Sequence, residues 1–455
     1  MRSEISLGLL CGLMLWSGCL CYYQKYFHVE GGPKYMYYFA KFSVGDPSKI
    51  QSAIIDTGSD TMAFPCDTCK SNDCGSHQNT RFETSKSRSF VHEKRCEMPV
   101  LFHKKHVCEF IKSYAEGSSL LGYLGEDQVR FVNALETEDQ KIFNLNKGQK
   151  QDMTLKATFG CTTKETGLFK TQYADGILGI DNGSSLIESI EKDNSIDQKM
   201  VFSFGLCLHE TGGIMSVDLR KEHGHDPKVE HMGKKLDEKE AIIVPYLAFD
   251  DYYEVPIKSF QIQDRIVKAD INVMVDSGTT FSHFPSEILD SLLRALNSYC
   301  NIHKDLCGKL PKAEITEDTC LELRQPDKDY ANIQELLDSF PNIKMNFAHV
   351  KKPYILRPKN YFYVEHSEDE KEKREGISRI CIALKGQEEG KIILGAFGMI
   401  DYNFYFDRKE KNLVITPENC YVRTARRKLM LKKRKLKLVA SRRKRALGAR
   451  KNMIL

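Results

Sequence analysis

Two copies of an aspartate-hydroxyl-glycine turn constrain the fold of this chain more than any other feature. The first copy is Asp56-Thr57-Gly58 and the second is Asp276-Ser277-Gly278, and each follows an apolar, β-rich run. A hydrophobic-hydrophobic-glycine segment begins 121 residues after the first aspartate, at Ile177, and 117 residues after the second, at Ile393. A single Asp-Thr-Gly is a common solvated turn. Two copies at matched spacing instead predict a doubled lobe whose two carboxylates share one site.

The length of 455 residues is sufficient for two ordinary hydrophobic cores, and 41% apolar with 28% charged residues is typical of a folded globular protein. The run from Ile5 to Leu20 is almost wholly apolar and follows Arg2. That order predicts a secretory signal peptide over residues 1–21. An uncleaved membrane anchor is the alternative, but a span needs about 20 apolar residues and this run is shorter.

The cysteine content fits an oxidising compartment. Removing the signal leaves twelve of the fifteen cysteines, an even number that permits six disulfides. The densest group, Cys66, Cys69 and Cys74, lies near His77, so a zinc site is an alternative. Disulfides are favoured and no metal is expected, because no second C-x-x-C pair completes a tetrahedral site. Spacing alone does not determine the pairing. The disulfide candidates are Cys66, Cys69, Cys74, Cys96, Cys108, Cys161, Cys207, Cys300, Cys307, Cys320, Cys381 and Cys420.

Charge is segregated along the chain. Residues 421–455 contain fifteen Lys or Arg and no acidic residue, although the whole chain has a net charge of only +5. Interleaved leucines in this basic tail favour binding to an anionic membrane surface, with a disordered solvated tail as the alternative. Nucleic acid is not an expected partner, because a protein in the secretory lumen meets little of it.

Local patterns divide the chain into two β-rich parts. Tyr35 to Val44 predicts a strand that turns at Gly45-Asp46-Pro47. Lys221 to Glu240 is rich in His, Lys and Glu, which is typical of a solvated connection and places the lobe boundary there. Pro285 to Tyr299 predicts a helix. The expected domains are a first lobe over 33–230 with a cysteine-rich insert over 66–108, and a second lobe over 241–417.

The paired turns and their hydrophobic-hydrophobic-glycine partners resemble those of the pepsin-like aspartic proteases. That resemblance implies a mainly β, bilobal acid-protease fold with the active site between two related lobes. It also implies an aspartic endopeptidase that needs no cofactor, acts on polypeptides and works as a monomer. The implied catalytic residues are Asp56 and Asp276. The implied supporting residues are Thr57, Gly58, Ser59, Ser277, Gly278 and Thr279.

The chemistry of such a dyad follows from its two carboxylates. Two carboxylates within about 3 Å of each other do not both ionise easily, so the pair holds one proton over a broad pH range. The ionised member takes a proton from water while the protonated member donates to the scissile carbonyl. By resemblance, Ser59 and Thr279 bond the outer carboxylate oxygens, Thr57 and Ser277 hold the two loops together, and Gly58 and Gly278 allow close backbone approach. A catalytically silent peptide-binding protein on the same fold is the alternative function.

The resemblance also identifies a flap, Ser113 to Ser118, in which Tyr114, Glu116 and Gly117 are the expected substrate-binding residues. The family's tryptophan after the first aspartate turn is expected to be replaced by Phe64. Only about a dozen residues separate the signal from the first hairpin, so no long acid-released prosegment is expected.

Several segments narrow the resemblance to the apicomplexan export proteases of the plasmepsin V type. They are Phe64 to Cys69, Cys74 to His77, Tyr114 to Ser118, Phe159 to Cys161 and Asp276 to His283. The narrower resemblance implies the endoplasmic reticulum lumen, an insert like that of plant nepenthesins, and cleavage of secretory or exported proteins after an Arg-x-Leu motif.

Three residue-level expectations accompany that resemblance. Glu116 is expected to select the substrate arginine by a bidentate pair. The implied disulfides are Cys161 with Cys207 and Cys320 with Cys381. Ala115 stands where those proteases have an unpaired flap cysteine. Separately, the sequon at Asn182 predicts a glycosylation site.

Overall fold

The computed structural model describes residues 23–94, 96, 100–102, 105–131, 153–192, 200–221, 230–231, 234–235, 239–247, 251–309, 315–324, 330, 332–365, 369, 371–372 and 375–421. The predicted signal, 1–21, lies outside the described residues, and so does the basic tail after Tyr421. The described chain is mainly β, as predicted, and forms two lobes.

The first part of the chain contributes strands β1 to β15. Their bounds are Tyr23–Gly32, Tyr37–Val44, Lys49–Asp56, Met62–Pro65, Val91–His92, Val100–Phe102, Lys105–Val107, Glu109–Ser113, Ser119–Phe131, Met153–Glu165, Gly176–Gly179, Met200–His209, Gly212–Lys221, Glu230–His231 and Lys234–Lys235. Helix α1, Ser185–Glu191, follows β11. The strand β1 was not predicted from the sequence.

The second part contributes strands β16 to β28. Their bounds are Ile242–Pro245, Glu254–Ile262, Arg265–Asp276, Ser282–Pro285, Cys320–Arg324, Ile343–Phe347, Tyr354–Leu356, Phe362–Glu365, Ile377–Ile382, Leu384–Gln387, Ile392–Gly395, Tyr402–Asp407 and Asn412–Pro417. The helices are α2, α3 and α4, which span Ser286–Ile302, Ile333–Asp338 and Pro358–Tyr361.

The two lobes repeat one strand arrangement around the aspartates. In the first lobe the order is β3-β11-β4-β10, and in the second it is β18-β26-β19-β25. The strands β11 and β26 run parallel to the strands that end at the aspartates, with Gly179 opposite Asp56 and Gly395 opposite Asp276. The predicted doubling is therefore present in the strand register, and it brings each aspartate turn to the same edge of its sheet.

A shared sheet joins the lobes. The strand β12 pairs with β13 on one side and with β27 on the other, and β27 continues through β28 to β16. Aromatic rings fill the seam, with the centroids of Phe204 and Phe406 4.6 Å apart and stacked. Because β27 and β28 lie near the end of the described residues, the first lobe is completed by residues that follow the second aspartate.

Helix α2 confirms the predicted helix after the second aspartate, three residues longer at its carboxyl end. Pro285 lies at its N-cap, where its fixed φ suits a helix start. Leu289, Leu292, Leu293 and Leu296 recur at helical spacing and are buried. That face packs against the strands of the second lobe.

Six disulfides join the twelve predicted cysteines. The pair Cys320–Cys381 is confirmed, and the two residues lie opposite each other in adjacent strands. The expected pair of Cys161 with Cys207 is wrong. Parallel pairing of β4 with β10 brings Cys161 to Cys66, and the shared sheet brings Cys207 to Cys420. The remaining bonds are Cys69–Cys74, Cys96–Cys108 and Cys300–Cys307.

The insert is therefore held by disulfides instead of zinc. A zinc site needs thiolates, and the sulfurs of Cys66, Cys69 and Cys74 are bonded to other sulfurs. The imidazole of His77 lies 3.0 Å from the carboxylate of Glu165, with both side chains almost fully buried. The same carboxylate accepts the backbone N–H of Gly75. This ion pair docks the insert onto the end of β10.

The predicted connection between the lobes, Lys221 to Glu240, is described only in part. Its described pieces include the short antiparallel pair β14 and β15. Across the described residues, no helix combines the length and the apolar composition needed to cross a membrane.

Candidate active site

The two predicted aspartates meet at the bottom of one cleft of about 1100 Å³. Asp56 ends β3 and Asp276 ends β18, and their exposed fractions are only 4% and 7%. Both side chains line the cleft. The doubled motif predicted that two carboxylates share one site. The strand register brings them together, although 220 residues separate them in the sequence.

Each carboxylate is held by its own turn in the same way. In the first lobe, the N–H of Gly58 donates to Asp56 Oδ1 at 2.8 Å and the Ser59 hydroxyl donates to Oδ2 at 2.5 Å. In the second lobe, Gly278 N–H and the Thr279 hydroxyl donate to Asp276 Oδ1 and Oδ2 at 2.8 and 2.5 Å. These four bonds fix the orientation of both carboxylates.

The two turns are also bonded to each other. The Thr57 hydroxyl donates to the carbonyl of Val275 at 2.8 Å and accepts the N–H of Ser277 at 2.9 Å. The Ser277 hydroxyl donates to the carbonyl of Ile55 at 2.7 Å and accepts the N–H of Thr57 at 3.2 Å. Each lobe thus supplies the hydrogen-bond partners that the other lobe's turn requires.

Glycine is required after each hydroxyl residue because the opposite carboxyl group approaches so closely. A Cβ on Gly58 would lie 2.7 Å from Asp276 Oδ1, and one on Gly278 would lie 2.2 Å from Asp56 Oδ1.

The closeness of the two carboxyl groups also affects their protonation. Burial, and to a smaller extent the neighbouring Asp276 carboxylate, raises the pKa of Asp56 well above its usual value. The pair therefore retains a proton where an isolated carboxylic acid would be ionised.

The flap is a tight hairpin between β8 and β9 above the dyad. The backbone N–H of Tyr114 donates to the carbonyl of Ser118 at 2.9 Å, and the N–H of Gly117 donates to the carbonyl of Tyr114 at 2.9 Å. Gly117 has a φ of +91°, in the region that favours glycine. The Tyr114 ring packs on Phe169, with centroids 5.0 Å apart. Burial, and then Asp56, raise the pKa of Tyr114 above its usual value, so this phenol stays protonated.

The expectation for Phe64 is wrong. Adjacent residues of a strand face opposite sides, and Phe64 points into the main core, stacked on Phe159 with centroids 4.7 Å apart. Ala63 instead lies on the flap side, in the cluster against which Tyr114 packs. The Tyr114 hydroxyl forms no hydrogen bond with the described residues.

Glu116 lies at the exposed tip of the flap and lines the cleft. Its carboxylate forms no hydrogen bond or ion pair with the described residues, so it does not cap its own hairpin. The nearby cation Lys112, in β8, does not pair with Glu116, because its Nζ forms an ion pair with Asp60 Oδ2 at 2.8 Å. Glu116 is therefore available to a ligand in the cleft.

Two polar residues of the cleft, Asp181 and His283, were not predicted from the sequence. Asp181 follows the first hydrophobic-hydrophobic-glycine segment, and His283 lies in β19, seven residues after the second aspartate. Comparison of the two lobes residue by residue would have found His283. It lies seven residues after Asp276, and the residue seven after Asp56 is the small, apolar Ala63.

Asp181 makes the stability of the protein depend on pH. Burial, and then the charge of Asp60, raise the pKa of Asp181 to about 7. The pKa of Asp181 in the folded protein thus exceeds its value of about 4 in the unfolded chain. The contribution of Asp181 to folding stability is therefore fully present below about pH 4 and is lost as pH rises through about 7. We expect Asp181→Asn to reduce the fall in Tm between pH 5 and pH 8 by about 2 °C.

Thermal unfolding of the parent and the variant at the two pH values measures this difference. The amide oxygen of Asn can still accept the Gly183 N–H, now bonded at 2.9 Å, so the turn is retained. Asp264→Asn, at an exposed position outside the cleft, is the matched control. Equal pH slopes for the parent and Asp181→Asn would contradict the expectation.

The predicted glycosylation residue lies beside the cleft. Asn182 is partly buried, and its side-chain oxygen accepts Arg408 Nε at 3.1 Å. The Ser184 hydroxyl donates to the carbonyl of Gly179 at 2.7 Å. Glycosylation of Asn182 stays a prediction.

The covalent chemistry around the site indicates where the protein folds. Six disulfides favour an oxidising compartment of the secretory type, because disulfides form and persist there. In the described part of the chain, no group of three His, Cys, Asp or Glu side chains could hold a metal ion.

Comparison with known proteins agrees with this geometry. The family model for eukaryotic aspartyl proteases matches residues 37–417. Plasmepsin V of Plasmodium falciparum is 24% identical over 456 aligned residues, which cover 85% of this chain and 72% of the relative. Aspartic protease 5 of Toxoplasma gondii is 28% identical over 302 residues, covering 54% and 29% of the two chains. Aspartic proteinase 39 of Arabidopsis thaliana is 23% identical, covering 73% and 64%.

The family match spans both aspartate turns, the flap and the strands that unite the lobes. The chain therefore belongs to the eukaryotic aspartyl protease family and is an aspartic-type endopeptidase that acts on polypeptides.

Proposed function

We propose that Asp56 and Asp276 are the catalytic dyad and that Glu116 makes the enzyme cleave after Arg-x-Leu motifs in secretory or exported proteins. The observation that supports the dyad is the mutual hydrogen bonding of the two turns, which holds two buried carboxylates in matching orientations. Thr57, Gly58, Ser59, Ser277, Gly278 and Thr279 are its supporting residues.

The proposed chemistry is hydrolysis by a water that the dyad activates. The ionised carboxylate takes a proton from the water, and the carboxylic acid donates its proton to the scissile carbonyl oxygen. The product of this step is a tetrahedral diol, with no covalent bond to the enzyme. The aspartate that took the water proton then donates it to the leaving nitrogen while the other carboxylate takes a proton from the diol, so the C–N bond breaks and the dyad returns to its starting protonation state. Ser59 and Thr279 keep the carboxylates oriented during both proton transfers.

The proposed specificity depends on the flap. Glu116 carries an exposed carboxylate with no partner among the described residues, on the hairpin that covers the dyad. An arginine side chain in the substrate offers two parallel N–H donors, which match a carboxylate better than the single ammonium of lysine. Closure of the flap, with Tyr114 and Gly117 at its tip, would shield this pair from water and strengthen it.

Paired peptides measure this specificity. We expect the parent to have a higher kcat/KM for Arg than for Lys or norleucine two positions before a scissile Leu. Loss of one partner of a shielded charge pair costs about 2–5 kcal/mol, so Glu116→Gln is expected to lower the Arg preference by about 30-fold or more.

The control variant is Glu109→Gln, which makes the same change at an exposed position on the first strand of the flap hairpin. It is expected to keep the Arg preference. A parent that cleaves the Arg and norleucine peptides equally well would refute the assignment of Glu116.

Several features outside the cleft complete the proposal. We place the first lobe at 33–230 with its insert at 66–108, and the second lobe at 241–417. The enzyme is proposed to act as a monomer in the endoplasmic reticulum lumen, a compartment that supplies the oxidant for its six disulfides. The basic tail, 421–455, is proposed to bind an anionic membrane surface.

A further inference from the structure

The internal symmetry of the fold identifies an unassigned polar position in the cleft. Ala63 and His283 each lie seven residues after the aspartate of their lobe. Ala63 pairs with Ile177 in β11 on one side and with Gly160 in β10 on the other. The strand β19 that carries His283 is paired in the same way, antiparallel to β26 and parallel to β25. The two residues are therefore equivalent positions of the two lobes.

These equivalent positions differ in exposure and in chemistry. Ala63 is fully buried beneath the flap, in a cluster with Phe110 and Phe169. His283 is only partly buried, and its ring lines the cleft that contains Asp276. The position that is apolar and covered in the first lobe is thus occupied by an imidazole that reaches the cleft in the second lobe.

The imidazole has unused hydrogen-bonding capacity. His283 forms no side-chain hydrogen bond or ion pair with any described residue. Burial lowers its pKa, with opposing contributions from Asp276, which raises the pKa, and Lys385, which lowers it. At neutral pH the ring is therefore uncharged, with one nitrogen that donates and one that accepts. The ring nitrogens are not among the buried polar atoms that lack a partner, so water can reach them in the free enzyme, and a bound substrate can replace that water with a direct hydrogen bond.

We propose that His283 is a specificity-determining residue that hydrogen-bonds an uncharged polar side chain of the substrate, such as that of glutamine, on the second-lobe side of the cleft. This inference rests on the proposed dyad but not on the arginine preference assigned to Glu116. A carboxylate is disfavoured as the occupant because Asp276 lies on the same side. An amide suits the uncharged ring, because it both donates and accepts.

Peptide series that differ at one position test this assignment. Glutamine and methionine have similar length and volume, but only glutamine forms strong hydrogen bonds. Each position flanking the scissile bond is varied among Gln, Met and Glu, and kcat/KM is measured near pH 7. We expect the parent to prefer Gln over Met about fivefold at one position, the range of a single net hydrogen bond, and to disfavour Glu there.

The decisive readout is the Gln-to-Met ratio in variants. His283→Leu is expected to lower the ratio to about 1, whereas His283→Asn, which keeps a donor and an acceptor, retains part of the preference. Because the ratio does not depend on the concentration of active enzyme, it can be read even if a variant folds poorly. His303→Leu, at an exposed histidine outside the cleft, is the matched control and should keep the parental ratio.

The possible outcomes separate this inference from the proposed function. A parent that cleaves no peptide would contradict the proposed dyad. A parent that cleaves but treats Gln and Met alike at every position would overturn the role of His283. So would an unchanged ratio in His283→Leu, or a preference for Glu over Gln.

Discussion

Replacing Asp276 by Asn is expected to lower kcat for peptide hydrolysis by about 10³-fold or more while the protein remains folded. The amide can still accept the N–H of Gly278, but it cannot exchange a proton with water or with the scissile carbonyl. General acid–base catalysis contributes about 10²–10⁴-fold for each group, and the two carboxylates act as a unit. Asp56→Asn is expected to have the same effect.

The stability of the dyad variants should not fall with their activity. The Asp276 carboxylate raises the pKa of Asp56, so removing its charge relieves a repulsion in the folded state. We therefore expect a Tm at neutral pH no lower than that of the parent. Asp290→Asn, on the exposed face of α2, is the control and should keep full activity. Undiminished hydrolysis by either dyad variant would exclude the proposed mechanism.

The largest effect on stability is expected from the disulfide between Cys207 and Cys420. It closes a loop of 213 residues and ties β12 to the segment after β28. In the chain-entropy description, a loop of this length stabilises the fold by about 5 kcal/mol. The double replacement by Ala should therefore cost about that much free energy of unfolding, measured by urea denaturation without reductant.

A short loop provides the matched comparison. Cys300 and Cys307 are separated by only seven residues, and the same description assigns about 2 kcal/mol to their bond. The two double-alanine variants should therefore differ by about 3 kcal/mol. Equal losses would show that local packing, and not loop closure, controls the contribution of these bonds.

The dyad was predictable because its information is local and occurs twice. Each aspartate, its following hydroxyl residue and its glycine lie within four residues, and the second copy excluded a chance turn. The helix after Pro285 was predictable for the same reason, since helical periodicity is a short-range pattern. Burial of the hydroxyls of Thr57 and Ser277 between the turns followed the family resemblance.

The errors concern information that is not local. The partner of Cys161 is fixed by which strands lie side by side, and the parallel pairing of β4 with β10 joins segments about 95 residues apart. The error at Phe64 was a shift of one residue in a strand, which reverses the face on which a side chain lies. Asp181 went unnoticed because its importance comes from burial near Asp60, which no sequence pattern records.

The reciprocal bonds between Thr57 and Ser277 have a consequence for biosynthesis. A nascent chain that has emerged through Gly278 already contains both aspartates, but it lacks β26, which flanks Asp276, and β27, which joins the lobes. The second turn therefore lacks the strand that flanks Asp276 until residues 392–395 are made. The protease is thus expected to be inert until its second lobe is complete.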